Sequence, residues 1–212
     1  MTARPVSAQT LSRLPMYVIY LRGLTQEKSE NISATSIAEA LGLHDVQVRK
    51  DLASVSVSGR PKIGYVTKDL LKEIEDFLGI HDNHCAVITG VGNLGRALMS
   101  YAGFSGYGLR IVAGFDHAVD VIGTVVDGKP IFPVERMQEL CDRMHVRIGI
   151  IAVPEASAQA VCDAYVNCGI RAIWNFSPIR LEAPPDVLVR SENMAYSLAI
   201  LSRHLSERDR EN

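Results

Sequence analysis

The chain has 212 residues, 47% of them apolar, and a formal net charge of −2. That is enough apolar matter for one large core or two modest ones, and the length excludes an ordinary two-domain enzyme with insertions. Residues 1–12 are polar and hold no apolar run fit for a signal peptide or membrane span, so the expected location is the cytoplasm. Charge divides unevenly: residues 1–68 hold nine Lys/Arg against five Asp/Glu, and 69–212 hold thirteen against nineteen. A basic front joined to an acidic rear suits a nucleic-acid module attached to something else.

In chain order, Leu11, Leu14, Val18 and Leu21 recur at helical spacing and predict a first helix ending near Gly23. Ser36-Ile37-Ala38-Glu39 reads as a capping box opening a short second helix, with Ile37, Ala40 and Leu41 inward and Gly42 as its stop. Asp45 then caps a third helix whose buried stripe is Val48, Leu52 and Val55, leaving Gln47, Arg49, Lys50 and Ser54 outside. Two short helices around a glycine turn, the second bearing Gln, Arg and Lys on its free face, form a helix-turn-helix signal. The other reading of this segment is a small helical bundle with a solvated basic face. Ser58-Gly59-Arg60-Pro61-Lys62-Ile63-Gly64-Tyr65 favours DNA binding, because it reads as a turn-rich wing whose Arg60 and Lys62 would meet phosphates. Arg13 on the first helix joins the candidate DNA contacts. Thr67 caps a last helix with Leu70, Leu71, Ile74 and Leu78 inward and Gly79 as stop, and residues 80–84 form a linker.

Residues 85–89 make a short apolar strand that feeds Gly90-Val91-Gly92-Asn93-Leu94-Gly95, after which Ala97, Leu98 and Tyr101 extend a helical stripe from Leu94. Strand, Gly-x-Gly-x-x-Gly and helix together are the dinucleotide-binding arrangement. The first glycine turns the chain, the second lets backbone approach a diphosphate, and the third lets helix pack on strand. A second strand, 110–115, ends in Asp116, 21 residues past Gly95. A carboxylate there either accepts the adenosine ribose 2′-OH and repels a 2′-phosphate, which favours NAD(H) over NADP(H), or only caps a turn. The Asp127-Gly128 turn follows, then a helix over 133–144, a strand over 148–153, a helix up to Gly169 and a strand over 172–176, giving a parallel sheet wound on both faces. Pocket candidates follow the strands: Val153 and Pro154, then Asn175, Phe176 and Ser177, with Phe176 either lining the nicotinamide side or packing in the core. Trp174 reads as core. The last helix, 193–205, carries Met194, Leu198, Leu201 and Leu205 on one face after the sheet is complete, so it either covers its own sheet or is exchanged with a second subunit.

The four cysteines, Cys85, Cys141, Cys162 and Cys168, lack Cys-x-x-Cys spacing and read as reduced core thiols rather than metal ligands. A small NAD-dependent oxidoreductase shares the glycine-rich turn but needs a catalytic domain and an acid or base near the nicotinamide. None of the six histidines falls at a strand end where one would serve, so no catalytic residue is expected. A CoA- or nucleotide-binding regulatory module is the other alternative.

The whole chain resembles Rex, the bacterial redox-sensing transcriptional repressors. The resemblance is carried by Ser12-Arg13-Leu14-Pro15-Met16-Tyr17, Gln47-Val48-Arg49-Lys50-Asp51-Leu52, Gly64-Tyr65, Gly90 to Gly95, Phe115-Asp116, Val153-Pro154 and Asn175-Phe176-Ser177-Pro178. It implies a homodimer that binds double-stranded operator DNA when NAD⁺ predominates and releases it when NADH occupies the site, with no membrane or metal involved. It also implies an exchanged C-terminal helix, so the expected fold is a winged helix-turn-helix (1–80), a Rossmann doubly wound parallel sheet (85–190) and a domain-swapped helix (191–212). In Rex, an Arg on helix one, an Asp at the start of the exchanged helix and a Tyr on the glycine-rich helix form a redox-dependent triad. Tyr101 matches the Tyr, whereas Ile19 and Asn193 stand at the other two positions. The expected alternative is that reduced nicotinamide seats against Phe176 and Met194 of the partner subunit.

Overall fold

The computed structural model describes residues 6–26, 30–60 and 63–211, and the chain divides into two compact units between Asp82 and Asn83.

The first unit runs α1 (Ala8–Gln26), β1 (Asn31–Ile32), α2 (Ala34–Leu41), α3 (Asp45–Val55), β2 (Tyr65–Val66) and α4 (Thr67–Leu78). Leu14, Tyr17, Val18, Leu21, Ile37, Val48, Leu52, Leu70 and Ile74 are its fully enclosed core. β1 and β2 pair antiparallel, Ile32 opposite Tyr65, and an Arg60–Gly64 bridge closes the wing behind them. Gly64 has φ +86°, and a Cβ there would lie 2.3 Å from the Ile32 carbonyl oxygen, so this close approach requires glycine.

Local expectations shift here for physical reasons. Leu11 is exposed, because the inward face of the first turn of α1 is occupied by Thr10, which hydrogen-bonds a buried carboxylate, and Tyr17 takes the core position instead. α1 also runs past Gly23 to Gln26. α2 begins earlier than the capping-box reading: Ser33, extended after β1, is the N-cap, and its Oγ accepts the Ser36 N–H at 2.9 Å. That start turns Ala38 inward and Ala40 out. His44 rather than Asp45 occupies the N-cap of α3, and Val66 rather than Thr67 that of α4. Gly42 and Gly79 end their helices in the left-handed region as expected.

The second unit runs β3 (His84–Thr89), α5 (Asn93–Met99), β4 (Leu109–Asp116), β5 (Val125–Val126), β6 (Lys129–Pro133), α6 (Met137–Met144), β7 (Ile148–Ile151), α7 (Glu155–Asn167), β8 (Ala172–Asn175), β9 (Leu188–Ser191) and α8 (Met194–Glu211). The sheet order is β5-β6-β4-β3-β7-β8-β9, parallel throughout except for the β5–β6 hairpin. Read from β6, this is the 3-2-1-4-5-6 order of a doubly wound dinucleotide fold, whose direction reverses between β3 and β7. Both Asp127 and Gly128 have positive φ, as a tight hairpin joining β5 to β6 demands.

Several boundaries differ from the sequence reading. α5 stops at Met99, so Tyr101 lies beyond it, and Gly95 and Met99 take the buried positions assigned to Ala97 and Tyr101. Residues 134–136 form a 3₁₀ turn ahead of α6, β7 ends before Val153, and β8 ends at Asn175. Three of the four cysteines are buried and Cys85 half-buried, all as free thiols, and burial pushes the Cys141 thiol up to about 12. Among the described residues no group of three His, Cys, Asp or Glu side chains is placed to hold a metal, and no helix is long and apolar enough to cross a membrane.

Candidate functional site

The glycine-rich turn stands at the carboxyl end of β3, where the strand order reverses and ligands of such sheets bind. Gly90 has φ +94°, and a Cβ there would meet the Ala152 carbonyl at 2.4 Å; a Cβ on Gly95 would lie 2.0 Å from the Gly90 carbonyl oxygen. Gly92 differs, because a Cβ there would enter open space. Gly90 N–H bonds to the Phe115 carbonyl and Arg96 N–H to that of Gly92, whereas the N–H groups of Gly92, Asn93, Leu94 and Gly95 have no acceptor among the described residues. Those donors, converging at the start of α5 beside an open Gly92, fit a diphosphate.

Val91 is enclosed, and its N–H donates to Asp116 Oδ2 at 2.7 Å, while Asp116 Oδ1 accepts the N–H groups of His117 (2.8 Å) and Ala118 (3.0 Å). Burial would raise the Asp116 pKa, but the three backbone donors outweigh it and hold the carboxyl below its ordinary value. Asp116 therefore latches the turn to the end of β4, and Oδ2 keeps capacity for a ribose hydroxyl. A cavity of about 870 Å³ opens beside it, lined by Gly92, Asp116, Val134, Val153, Pro154 and Val161 among others, roomy and apolar enough for adenosine.

At the carboxyl end of β8, Asn175 is fully buried. Its Nδ2 donates to the carbonyls of Ser177 and Ile179 and to Ser191 Oγ, and its Oδ1 accepts the Ser177 N–H. Ser177 Oγ donates to the Val153 carbonyl at 2.6 Å. Asn175 and Ser177 thus act as clamps that fix Phe176 between them. Phe176 lies 4.9 Å from Trp174, Trp174 lies 5.5 Å from Phe104, and Phe104 lies 4.9 Å from Tyr101, centroid to centroid. This half-exposed aromatic row makes Trp174 more than a core residue, and its Nε1 donates to Glu192. Met194 opens α8, but its side chain lies outside the described residues.

In the first unit, Gln47, Arg49 and Lys50 project from α3 into solvent, and Ser54 Oγ donates to the Asp51 carbonyl. Arg49 is held by Asp45, Nε to Oδ1 at 3.0 Å, and reaches Thr35 Oγ1. Arg60 is exposed on the wing, and a groove lined by Ser33, Thr35, Arg49, Arg60 and Tyr65 lies between the start of α2 and the wing. Lys62 lies outside the described residues. Arg13 is turned to Asp51, Nε to Oδ2 at 2.6 Å, rather than to open solvent. The sequence reading missed Asp51, which is 1% exposed and collects donors from Thr10, Arg13, Tyr17 and Gln47. Its only outward signal is a carboxylate one residue before Leu52, on the edge of the buried stripe.

Two family profiles match different parts of the chain: "Putative DNA-binding protein N-terminus" matches residues 5–53 and "CoA binding domain" matches 81–179. The chain is 42% identical over 196 residues to the redox-sensing transcriptional repressor Rex of Porphyromonas gingivalis, covering 92% of this chain and 90% of the relative. To Rex of Pelotomaculum thermopropionicum it is 38% identical over 209 residues, covering 99% and 98%. The chain belongs to the Rex family. Rex proteins are repressors and not enzymes, which separates this chain from the dehydrogenases that share its glycine-rich turn. RSP, a Rex-family repressor, has been solved with β-NAD⁺ and operator DNA; it matches with TM-score 0.92 at 32% identity over 97% of this chain and 95% of RSP. RSP with β-NADH matches with TM-score 0.87 at 31% identity over 97% of each chain.

Proposed function

We propose that this Rex chain is a redox-sensing transcriptional repressor, a cytoplasmic homodimer that holds operator DNA through its first unit and lets go when NADH binds in its second. One observation carries the reading: a strand–turn–helix with four N–H groups that have no acceptor among the described residues, an open Gly92 and a latched Asp116 shares a chain with a winged helix whose α3 presents Gln47, Arg49 and Lys50. The likeness of the whole chain to RSP, solved with NAD⁺ and operator DNA and also with NADH, supports it.

In this reading residues 1–80 bind DNA, 85–190 bind NAD(H), and 191–212 are exchanged between subunits. Gly90 to Gly95 hold the diphosphate, and Asp116 takes the adenosine ribose and turns away a 2′-phosphate. Val153, Pro154 and the clamped Phe176 bound the remainder, with Tyr101 and the partner subunit's Met194 completing the nicotinamide side. Lys50 and Gln47 face the major groove, while Arg49 and Arg60 face phosphates; Lys62 is a further phosphate contact on the ground of its charge and place in the sequence alone. A puckered, neutral reduced ring and a planar, cationic oxidised one present different shape and charge to the aromatic row around Phe176, and so pack against it with unequal affinity. That difference in affinity between two dimer arrangements is all a ligand needs to shift their populations, so the switch does not require the Arg–Asp pair that Ile19 and Asn193 replace.

Lys50→Ala separates the two halves of the proposal. It weakens operator binding by about tenfold, as loss of one groove contact does, and leaves NADH affinity unchanged by calorimetry. A parallel fall in both affinities contradicts the assignment of α3.

A further inference from the structure

Asp51 is a buried carboxylate on the helix that faces DNA, and its surroundings are unusual for a helix-packing position. Five hydrogen bonds reach its two oxygens: Arg13 Nη2, Thr10 Oγ1 and Gln47 Nε2 on Oδ1, each at 3.0 Å, and Arg13 Nε at 2.6 Å and Tyr17 Oη at 2.8 Å on Oδ2. Four of these come from α1 and one from α3 itself, a single turn earlier. A leucine or methionine would join α1 to α3 at no desolvation cost, since a buried ion pair is seldom worth more than an apolar replacement. What the carboxylate supplies is direction. It fixes the rotation of α3 about its own axis through three residues of α1, and it fixes one N–H of Gln47.

We infer that Asp51 is a positioning residue that holds Gln47 as an adenine reader. Gln47 is solvent-exposed apart from this bond. With one N–H given to Asp51, its amide keeps a carbonyl oxygen and a second N–H, the pair that matches the N6 donor and N7 acceptor of adenine in the major groove. Holding the amide in advance spares the immobilisation of a flexible side chain on binding. Arg49 is treated in the opposite way. Asp45, one turn behind, takes its guanidinium at 3.0 Å and 2.9 Å and draws it toward Thr35 and the wing groove, away from the bidentate posture that reads guanine. Two carboxylates on one helix thus sort two candidate readers, Gln47 to a base and Arg49 to the backbone.

The inference rests on the DNA-binding reading above, and the test separates the two. The full-length protein selects duplexes from a random-sequence library, and affinities are then measured for the selected duplex and each single-base variant. The expected result is one adenine per half-site whose replacement weakens wild-type binding on the order of ten- to hundredfold. Gln47→Ala abolishes that preference and no other. Asp51→Asn, which keeps the shape but places an amide among the donors, diminishes the same preference while NADH affinity and the salt dependence of binding stay unchanged. Gln47 is exposed, so Gln47→Ala remains decisive even if Asp51→Asn fails to fold. A base other than adenine at the Gln47-dependent position, no such position, or an Asp51→Asn protein weakened equally on every duplex overturns the inference alone. A wild-type protein that selects no duplex overturns the repressor reading with it.

Discussion

Gly92 and Gly95 stand three residues apart in one turn and answer to different demands. At Gly95 a Cβ would meet the Gly90 carbonyl oxygen at 2.0 Å, a clash between backbones that no rotamer relieves. At Gly92 a Cβ meets nothing within 4 Å, and the backbone (φ −74°, ψ −159°) suits any residue. Gly95→Val should therefore cost about 3 kcal/mol or more, lowering Tm by roughly 10 °C. Gly92→Val should leave Tm within a few degrees but reduce NADH affinity on the order of a hundredfold, because its side chain fills the space a diphosphate needs. Thermal melts and NADH titrations of both variants check this pair. Asp51 and Asp116 share another residue-scale consequence. At each, burial favours the neutral acid, yet hydrogen bonds outweigh it and hold the pKa below the ordinary carboxylate value. A depressed carboxylate stabilises the fold fully above its unfolded pKa near ~4, and loses that contribution as pH falls through the folded value. Stability measured by urea unfolding should be level from neutrality down to about pH 5 and fall steeply below about pH 4. Asp51→Asn should flatten that fall, and an unchanged acid limb would show that Asp51 is not one of its sources.

At the scale of elements, α8 carries Leu198, Leu201 and Leu205 on one face, each more than 60% exposed, with Tyr196 and Ile200 beside them. An apolar stripe of this extent on a terminal helix calls for a cover, and in the proposed homodimer a second copy provides it. Leu198→Glu with Leu201→Glu should shift the protein from dimer to monomer in sedimentation and abolish operator binding; a variant that stays dimeric places the interface elsewhere. α8 was legible because its 3.6-residue period is strong and it follows a completed sheet. The alternation of strand and helix, the glycine-rich turn and the helix-turn-helix were legible for the same reason: each is written in local period and turn chemistry. β9 was not, since its residues are mostly exposed at the sheet edge and show no inward–outward alternation. Ser33 was passed over as a cap for Ser36 because either serine satisfies the local pattern, and only the extended backbone leaving β1 decides between them. Asp51 was hidden more deeply. A buried polar hub joins residues up to 41 positions apart, and no local period announces it. Asn175 and Ser177 were located correctly at a strand end, but their side chains are spent on clamping the loop.

At the scale of the molecule, two sites coexist in one chain, and their coupling is a free energy. NADH must bind the operator-free arrangement better than the operator-bound one, and NAD⁺ must discriminate less. The proposed physical source is the aromatic row around Phe176, against which a puckered, neutral reduced ring and a planar, cationic oxidised one pack unequally. Trp174 is the single tryptophan of the chain and lies 4.9 Å from Phe176, so its emission should fall when a reduced nicotinamide, which absorbs where tryptophan emits, seats beside it. The most direct measurement titrates NADH into a preformed complex of the full-length protein and its selected duplex, with NAD⁺ in a parallel titration. NADH should release the duplex at a concentration at least about tenfold lower than any at which NAD⁺ acts, in line with ordinary allosteric coupling. Equal release by the two forms, or none by either, would contradict redox sensing by this chain.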